Sequence, residues 1–266
     1  MRTFGGFQRS GEKVYGEVRG EEVHLLARPY WLGLDFTGDV VPLGELKIDL
    51  PVAPSKLMAV GLNYADHIAE MKRTPLGTPL IWFKAPTSLL PHEGTIEIAF
   101  PEHKTDFEVE LAIVIGARAS YVTKEDAARH IAGYALHNDY SERSFQLEHG
   151  GQWSKGKSAD TFAPLGPFLA TADEIKDPQA LPMWLTVNGE SRQKSSTANM
   201  IFDVYTLVSY LSQFMSLLPG DVISTGTPAG VGLGIKPEPV YLKVGDVVEL
   251  GIDGLGRSRQ KVAPSR

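Results

Sequence analysis

A chain of 266 residues that is 42% hydrophobic and 22% charged has ordinary globular usage, long enough for one large domain with a small appendage and a substantial core. It contains no cysteine, which excludes disulfides, thiolate metal sites and cysteine nucleophiles. The net charge is -6 and the basic residues are scattered, which argues against nucleic acid as the main ligand. No apolar signal core and no run long enough to span a bilayer are present, so no membrane association and a cytoplasmic location are expected. An acidic chain can still bind an acidic small molecule where a metal and a few cations are focused locally.

In chain order, Lys13 to Arg19 and Val23 to Leu26 are short alternating runs about a Gly20-Glu21-Glu22 turn, which predicts a hairpin. The prolines from Pro51 to Pro54 mark a linker, so residues 1–52 are expected as a small β-rich N-terminal domain and 53–266 as the main domain. Leu57 to Gly61 reads as a buried strand, and Asn63 to Met71 as a short helix. Lys72 to Thr78 is polar, carries Pro75 and Gly77, and reads as a mobile loop. Phe107 to Ile115 is a strong strand candidate. Thr123 to Ala132 is expected as a helix capped by Thr123 and stopped at Gly133, with a strand over Gly133 to Asn138. Apolar residues at helical spacing predict a helix over Met200 to Met215, packed on a sheet. Val222 to Ser224 reads as a strand, with two more around Asp253-Gly254. Strands dominate and do not alternate regularly with helices, so the expected class is mixed α+β, mainly β.

Phe107-Glu108-Val109-Glu110-Leu111 is the most informative short motif. On a strand, Glu108 and Glu110 share one face while Val109, Leu111, Ile113 and Ile115 take the other. Glu-x-Glu is ordinarily a solvated face. Here Ala112 and Val114 continue the glutamate face as apolar, which sets both carboxylates beside a buried strand. Paired buried carboxylates repel and need a cation or a shared proton. Asp139, just past the next strand, is either a turn residue or a third ligand. Three carboxylates and no cysteine suit Mg²⁺ or Mn²⁺, with Ca²⁺ as an alternative, and leave positions open for substrate.

His67 and Glu70 are three apart and share a helix face, as a solvated pair or as a base with its orienting partner. Trp153 to Ser158 reads as a basic surface loop. Thr225 to Gly232 is a glycine-rich loop after a strand. It lacks the Gly-Lys-Ser/Thr ending of a phosphate loop, but its amides could hold a carboxylate.

Six segments taken in order resemble the fumarylacetoacetate hydrolase family: Gly61 to His67, Asp106 to Leu111, Asn138 to Arg143, Gly156 to Phe162, Val187 to Gly189, and Thr225 to Gly232. The resemblance runs from about Lys56 to the C-terminus. It implies a β-roll catalytic domain with a small N-terminal domain, commonly homodimeric. It also implies that Glu108, Glu110 and Asp139 ligate the metal, that Lys157 is the active-site lysine, and that Arg143, Gln146 and Thr227 contact substrate. His67 and Glu70 then belong to a lid. The chain departs from the family at Ala85, where proline is frequent, and at His103-Lys104-Thr105. Residues before about 50 carry no resemblance.

The implied activity is metal-dependent cleavage or isomerisation of a small α-keto or β-diketo acid through an enolate: hydrolysis of an acylpyruvate, decarboxylation, or isomerisation of a 2-hydroxyhepta-2,4-diene-1,7-dioate type of substrate. Two rivals stand beside it. A non-catalytic, divalent-cation-binding β module would not need His67, Glu70 and Lys157 near the ion. A nucleotide binder would need the phosphate-loop signature that is missing.

Overall fold

The structure is a computed structural model, and it describes residues 1–98 and 103–265. The chain opens with five strands, β1 (Thr3–Arg9), β2 (Glu12–Arg19), β3 (Glu22–Leu26), β4 (Phe36–Pro42) and β5 (Lys47–Asp49). Then follow β6 (Leu57–Gly61), α1 (Ala65–Glu70), β7 (Leu80–Lys84), β8 (Leu89–Pro91), β9 (Thr95–Ile98), β10 (Thr105–Asp106) and β11 (Val109–Ile115). The centre holds β12 (Ile131–Asn138), β13 (Ser141–Glu142), α2 (Arg143–Leu147), α3 (Ser154–Lys157) and β14 (Ala163–Thr171). The chain closes with β15 (Pro182–Val187), β16 (Glu190–Ser196), α4 (Val204–Ser212), β17 (Val222–Ser224), β18 (Val247–Ile252) and β19 (Gly256–Pro264).

The fold is mainly β, as expected. A 12-stranded sheet runs in the order β4-β3-β2-β1-β14-β12-β11-β17-β6-β7, with β5 on β1 and β8 on β14. A 5-stranded sheet, β16-β15-β18-β19-β9, packs across it. Strand β11 lies in the middle of the large sheet and is buried along its whole length, so its two faces serve two cores. Val109, Leu111, Ile113 and Ile115 meet Met183, Leu185 and Leu250 of the second sheet and Leu207 and Leu211 of α4. Ala112 and Val114 meet Phe4, Leu57, Leu165 and Val222. A strand buried on both faces cannot leave Glu110 in water.

The predicted hairpin is present, with Val18 opposite Val23 and Gly20 at φ 62° in its turn. The first five strands gather a small cluster around Phe7, Val23, Leu25, Val41 and Leu46. They also continue the large sheet, because Thr3 and Phe4 pair with Ala170 and Leu169 of β14. Leu57–Gly61 and Val222–Ser224 are strands as expected, and they pair in parallel. No helix among the described residues is long and apolar enough to cross a membrane.

Three elements differ from the sequence expectation. The helix expected over 123–132 is only a 3-10 turn, Ala127–His130. Thr123 still accepts the Asp126 N–H at 3.3 Å, but Ile131 is drawn into the ladder opposite Ile115. Gly133 is not a helix stop. It lies inside β12, where a Cβ would stand 2.0 Å from the Ala170 carbonyl oxygen. The helix expected from Met200 begins only at Val204, capped by Asp203, whose carboxylate accepts the Thr206 N–H at 2.7 Å. Residues 200–202 are held instead by Asn63, which accepts the Phe202 N–H at 2.8 Å, and by a bridge from Met200 to Tyr64. The same core side receives both segments, so the apolar spacing outruns the helix. Lastly, Trp153 to Ser158 is not a surface loop: it contains the helical turn α3, and Lys157 is buried.

Candidate active site

Strand β11 and the turn after β12 bring three carboxylates together. Glu108 precedes β11, and Asp139 follows β12. Their backbones are tied to each other, since Asp139 N–H donates to the Glu108 carbonyl at 2.9 Å and Glu108 N–H donates to Asn138 Oδ1 at 2.9 Å. Glu108, Glu110 and Asp139 each offer an oxygen such that these atoms lie within 4.8 Å of one another, and all three residues are buried.

Cations crowd this cluster. Lys157 Nζ donates to Glu108 Oε2 at 2.6 Å and to Asp139 Oδ2 at 2.7 Å. Lys84 Nζ donates to Asp139 Oδ1 at 2.5 Å. Arg143 donates through Nη2 to Glu108 Oε1 at 2.6 Å, through Nε to Asp106 Oδ2 at 2.9 Å, and through Nη1 to Gln146 Oε1 at 2.8 Å. Burial alone would raise the Asp139 pKa, but the Lys157 and Lys84 ammoniums hold it well below the carboxylate range. Burial would lower Lys157, yet Asp139 and Glu108 keep it raised and charged.

Glu110 stands apart. Its partners are the Ser224 hydroxyl and the Gly226 N–H, the latter at 2.9 Å, and no side-chain cation bonds it among the described residues. Burial, with Asp139 and Glu108 close by, pushes its pKa well above the usual value. Positive charge is therefore in short supply at this carboxylate. The donor set is all oxygen, and the ligand atoms are near enough to share one ion. The cluster fits a divalent ion of the Mg²⁺, Mn²⁺ or Ca²⁺ kind.

The glycine-rich loop does hold carboxylates, and they are the protein's own. Gly226 N–H serves Glu110, Gly230 N–H donates to Glu70 Oε1 at 2.9 Å, and Gly232 N–H donates to Asp106 Oδ1 at 2.7 Å. Gly226 and Gly230 take φ 95° and 104°, which side-chain-bearing residues rarely adopt, and a Cβ at Gly230 would stand 2.0 Å from the Arg192 carbonyl oxygen. Thr227 donates to the Val109 carbonyl at 3.0 Å and accepts from Gln193 Nε2 at 2.8 Å.

A cavity lies over the cluster. Glu108, Glu110, Arg143, Gln146, Lys157 and Thr227 line it, and so does His67 from α1. His67 Nδ1 is 3.2 Å from Glu70 Oε2. Through Gly230, Glu70 pins α1 against the glycine-rich loop. Residues 72–78, just beyond, are exposed coil. Trp82 and Trp153 form part of the wall, with ring centroids 4.9 Å apart.

The structure thus brings His67, Arg143, Gln146, Lys157 and Thr227 around the three carboxylates. Four further residues were not singled out from sequence. Lys84 carried a signal, a lone lysine closing the apolar run Leu80-Ile81-Trp82-Phe83. Asp106 lay in a quoted motif without a role. Ser224 and Gln193 sit in strands with nothing to mark them.

This architecture defines a mainly β protein with a buried, cation-ringed carboxylate cluster at the floor of a cavity. Residues 56–263 match the family model of the fumarylacetoacetate hydrolase C-terminal domain, and the chain belongs to that family. A Burkholderia multivorans protein is 50% identical over 211 residues, covering 79% of this chain and 75% of that protein. Among solved structures, 5-carboxymethyl-2-hydroxymuconate delta-isomerase from Mycobacterium smegmatis is 34% identical with a TM-score of 0.88, each chain covered in full (100%). Fumarylacetoacetate hydrolase from Exiguobacterium antarcticum is also 34% identical, with a TM-score of 0.87 and 100% of both chains covered. The 2-hydroxyhepta-2,4-diene-1,7-dioate isomerase from Mycobacterium marinum is 32% identical, with a TM-score of 0.87 over 100% of this chain and 99% of that one. These solved relatives are named as one hydrolase and two isomerases.

Proposed function

We propose that this chain is a divalent-metal-dependent enzyme acting on a small α-keto or β-diketo acid, by hydrolysis, decarboxylation or isomerisation. One observation carries the reading: His67, Lys157 and Arg143 line a single cavity together with Glu108 and Glu110 of the Glu108, Glu110, Asp139 cluster, and Glu70 is the partner of His67. A cation-binding module without catalysis has no use for that convergence. We assign the metal to those three carboxylates, as Mg²⁺ or Mn²⁺ with Ca²⁺ as an alternative, in a homodimer whose residues 1–52 are a small unit appended to the catalytic domain.

When bound, the ion supplies Lewis-acid polarisation of the keto and carboxylate oxygens. Lys157 uses two of its hydrogens on Glu108 and Asp139, and the remaining one is available to the substrate. Lys157 and Arg143, with its guanidinium anchored by Asp106, Gln146 and Glu108, set positive charge where negative charge develops on the keto oxygen. Gln146 and Thr227 orient the substrate. His67, giving its Nδ1 hydrogen to Glu70, keeps the Nε2 lone pair, which can take a proton from water or from substrate carbon.

A panel of acylpyruvates, oxaloacetate and hydroxymuconate-type dienoates, assayed with Mg²⁺ or Mn²⁺, tests the reading. Turnover of at least one class is expected; silence on all of them with both metals would overturn it. A second expectation concerns the exposed residues 72–78. As a lid they gain hydrogen-exchange protection when the loaded protein binds oxalate, a mimic of the chelating keto acid. Equal protection in both states removes the lid.

A further inference from the structure

Strand β7 ends the large sheet at one edge and meets the site twice. Side chains two apart on a strand share a face, and Trp82 and Lys84 are both buried while Phe83 between them is exposed. Lys84 bonds Asp139 at 2.5 Å. Trp82 meets the other lysine, for Lys157 Nζ lies over its ring, 5.2 Å from the centroid. Trp82 and Lys157 both line the cavity. Packing holds the indole in place. Its centroid is 4.9 Å from that of Trp153, and a Cβ at Gly61 would stand 2.6 Å from an atom of each indole, so the absent side chain lets the two rings close.

Two features single out the contact with Lys157. Trp82 Nε1–H is buried and has no hydrogen-bond partner among the described residues. A buried tryptophan ordinarily pairs its N–H. The polar end of the indole therefore does not explain its place, whereas the ring face does, because indole holds a cation better than the other aromatic side chains. The second feature is the set of hydrogens on Lys157. Two go to Glu108 and Asp139, at 2.6 and 2.7 Å, and an ammonium carries three. An oxygen acceptor beside the ammonium would take the third. A π face attracts the charge as a whole through the ring quadrupole, so it steadies the buried cation and leaves that hydrogen for a ligand oxygen.

We propose that Trp82 is the positioning residue of Lys157: its ring seats the ammonium so that one hydrogen stays free for an oxygen of the bound keto acid. The proposal rests on the keto-acid reading of this site. Trp82 acts only through Lys157, and its effect disappears when the lysine charge is removed.

Calorimetric titration of the Mg²⁺-loaded chain with oxalate tests it. Trp82→Met should weaken oxalate about tenfold, between the values for exposed and desolvated cation–π pairs, and Trp82→Phe only about threefold, since a weaker ring face remains. Phenylalanine and methionine fill similar volumes, so a ring that merely filled space would give equal losses in the two variants. A double-mutant cycle supplies the second readout: added to Lys157→Met, Trp82→Met should cost oxalate no further affinity. Equal losses in Trp82→Phe and Trp82→Met, no loss in either, or a Trp82→Met loss that persists without the lysine charge, each overturn the assignment. If Lys157→Met does not fold, the comparison of phenylalanine with methionine decides alone. If oxalate fails to bind loaded wild type, the keto-acid reading falls and takes this proposal with it. Oxalate binding that is indifferent to Trp82 sinks Trp82 alone.

Discussion

Glu110→Ala is expected to abolish Mg²⁺ and Mn²⁺ binding in a calorimetric titration, and with it all turnover. Glu110 is the carboxylate of the cluster that no lysine or arginine bonds among the described residues, so it is the one with most to gain from an added cation. Glu108 and Asp139 share Lys157, which partly satisfies them when the ion is absent. Ser224→Ala is the matched comparison. It removes the hydroxyl that orients Glu110 but leaves the carboxylate, so metal affinity should fall by about 10–100-fold, the usual cost of losing an outer-shell partner. Unchanged metal affinity in Glu110→Ala would mean that the ion, if the protein takes one, sits elsewhere.

The second large effect separates the floor of the cavity from its roof. His67→Ala should keep metal and oxalate binding, because His67 reaches the cavity from α1 and touches none of the three carboxylates. Its hydrolysis of an acylpyruvate should fall by about 10²–10⁴-fold, the usual loss for a missing general base. Decarboxylation of oxaloacetate needs no attacking water and should suffer less. Lys157→Ala should impair both reactions, since both develop charge on the keto oxygen. It also leaves two buried carboxylates short of a partner, a change that costs about 3–5 kcal/mol when a buried pair is broken. The comparison is therefore made with metal bound and below the lowered melting temperature of that variant. Equal proportional damage to the two reactions by both substitutions would dissolve the division of roles.

Much of the site was legible because it is written on short segments. The alternation Glu108-Val109-Glu110-Leu111 places two carboxylates on one strand face by backbone geometry alone, and Ala112 and Val114 beyond them signal that this face is buried. His67 and Glu70 share a helical face for the same local reason. Lys157 is different. Its sequence neighbours Ser154, Lys155 and Gly156 read as a polar loop, and only the docking of α3 beneath α2 buries it: a Cβ at Gly156 would stand 2.5 Å from the Glu142 carbonyl oxygen. The close approach of those two turns is a contact between segments, and no local periodicity encodes it.

The sequence by itself determined the mainly β class, the hairpin at the start, the buried strands at 57–61 and 222–224, and the paired glutamates with the glycine-rich loop. Each rests on side-chain alternation, turn chemistry or an uninterrupted apolar run, which act over a few residues. Only the tertiary structure decided where helices stop and which groups become partners. Ile131 joins a strand because Ile115 offers it a ladder, residues 200–202 leave the helix because Asn63 ties them down, and the loop amides of Gly226, Gly230 and Gly232 are used up by Glu110, Glu70 and Asp106. Lys84 joins Asp139 across 55 positions of chain, a pairing that exists because β6 and β7 extend the same sheet that carries β12. Buried polar groups must find partners wherever the fold brings them, and that requirement is met only once the chain has closed on itself.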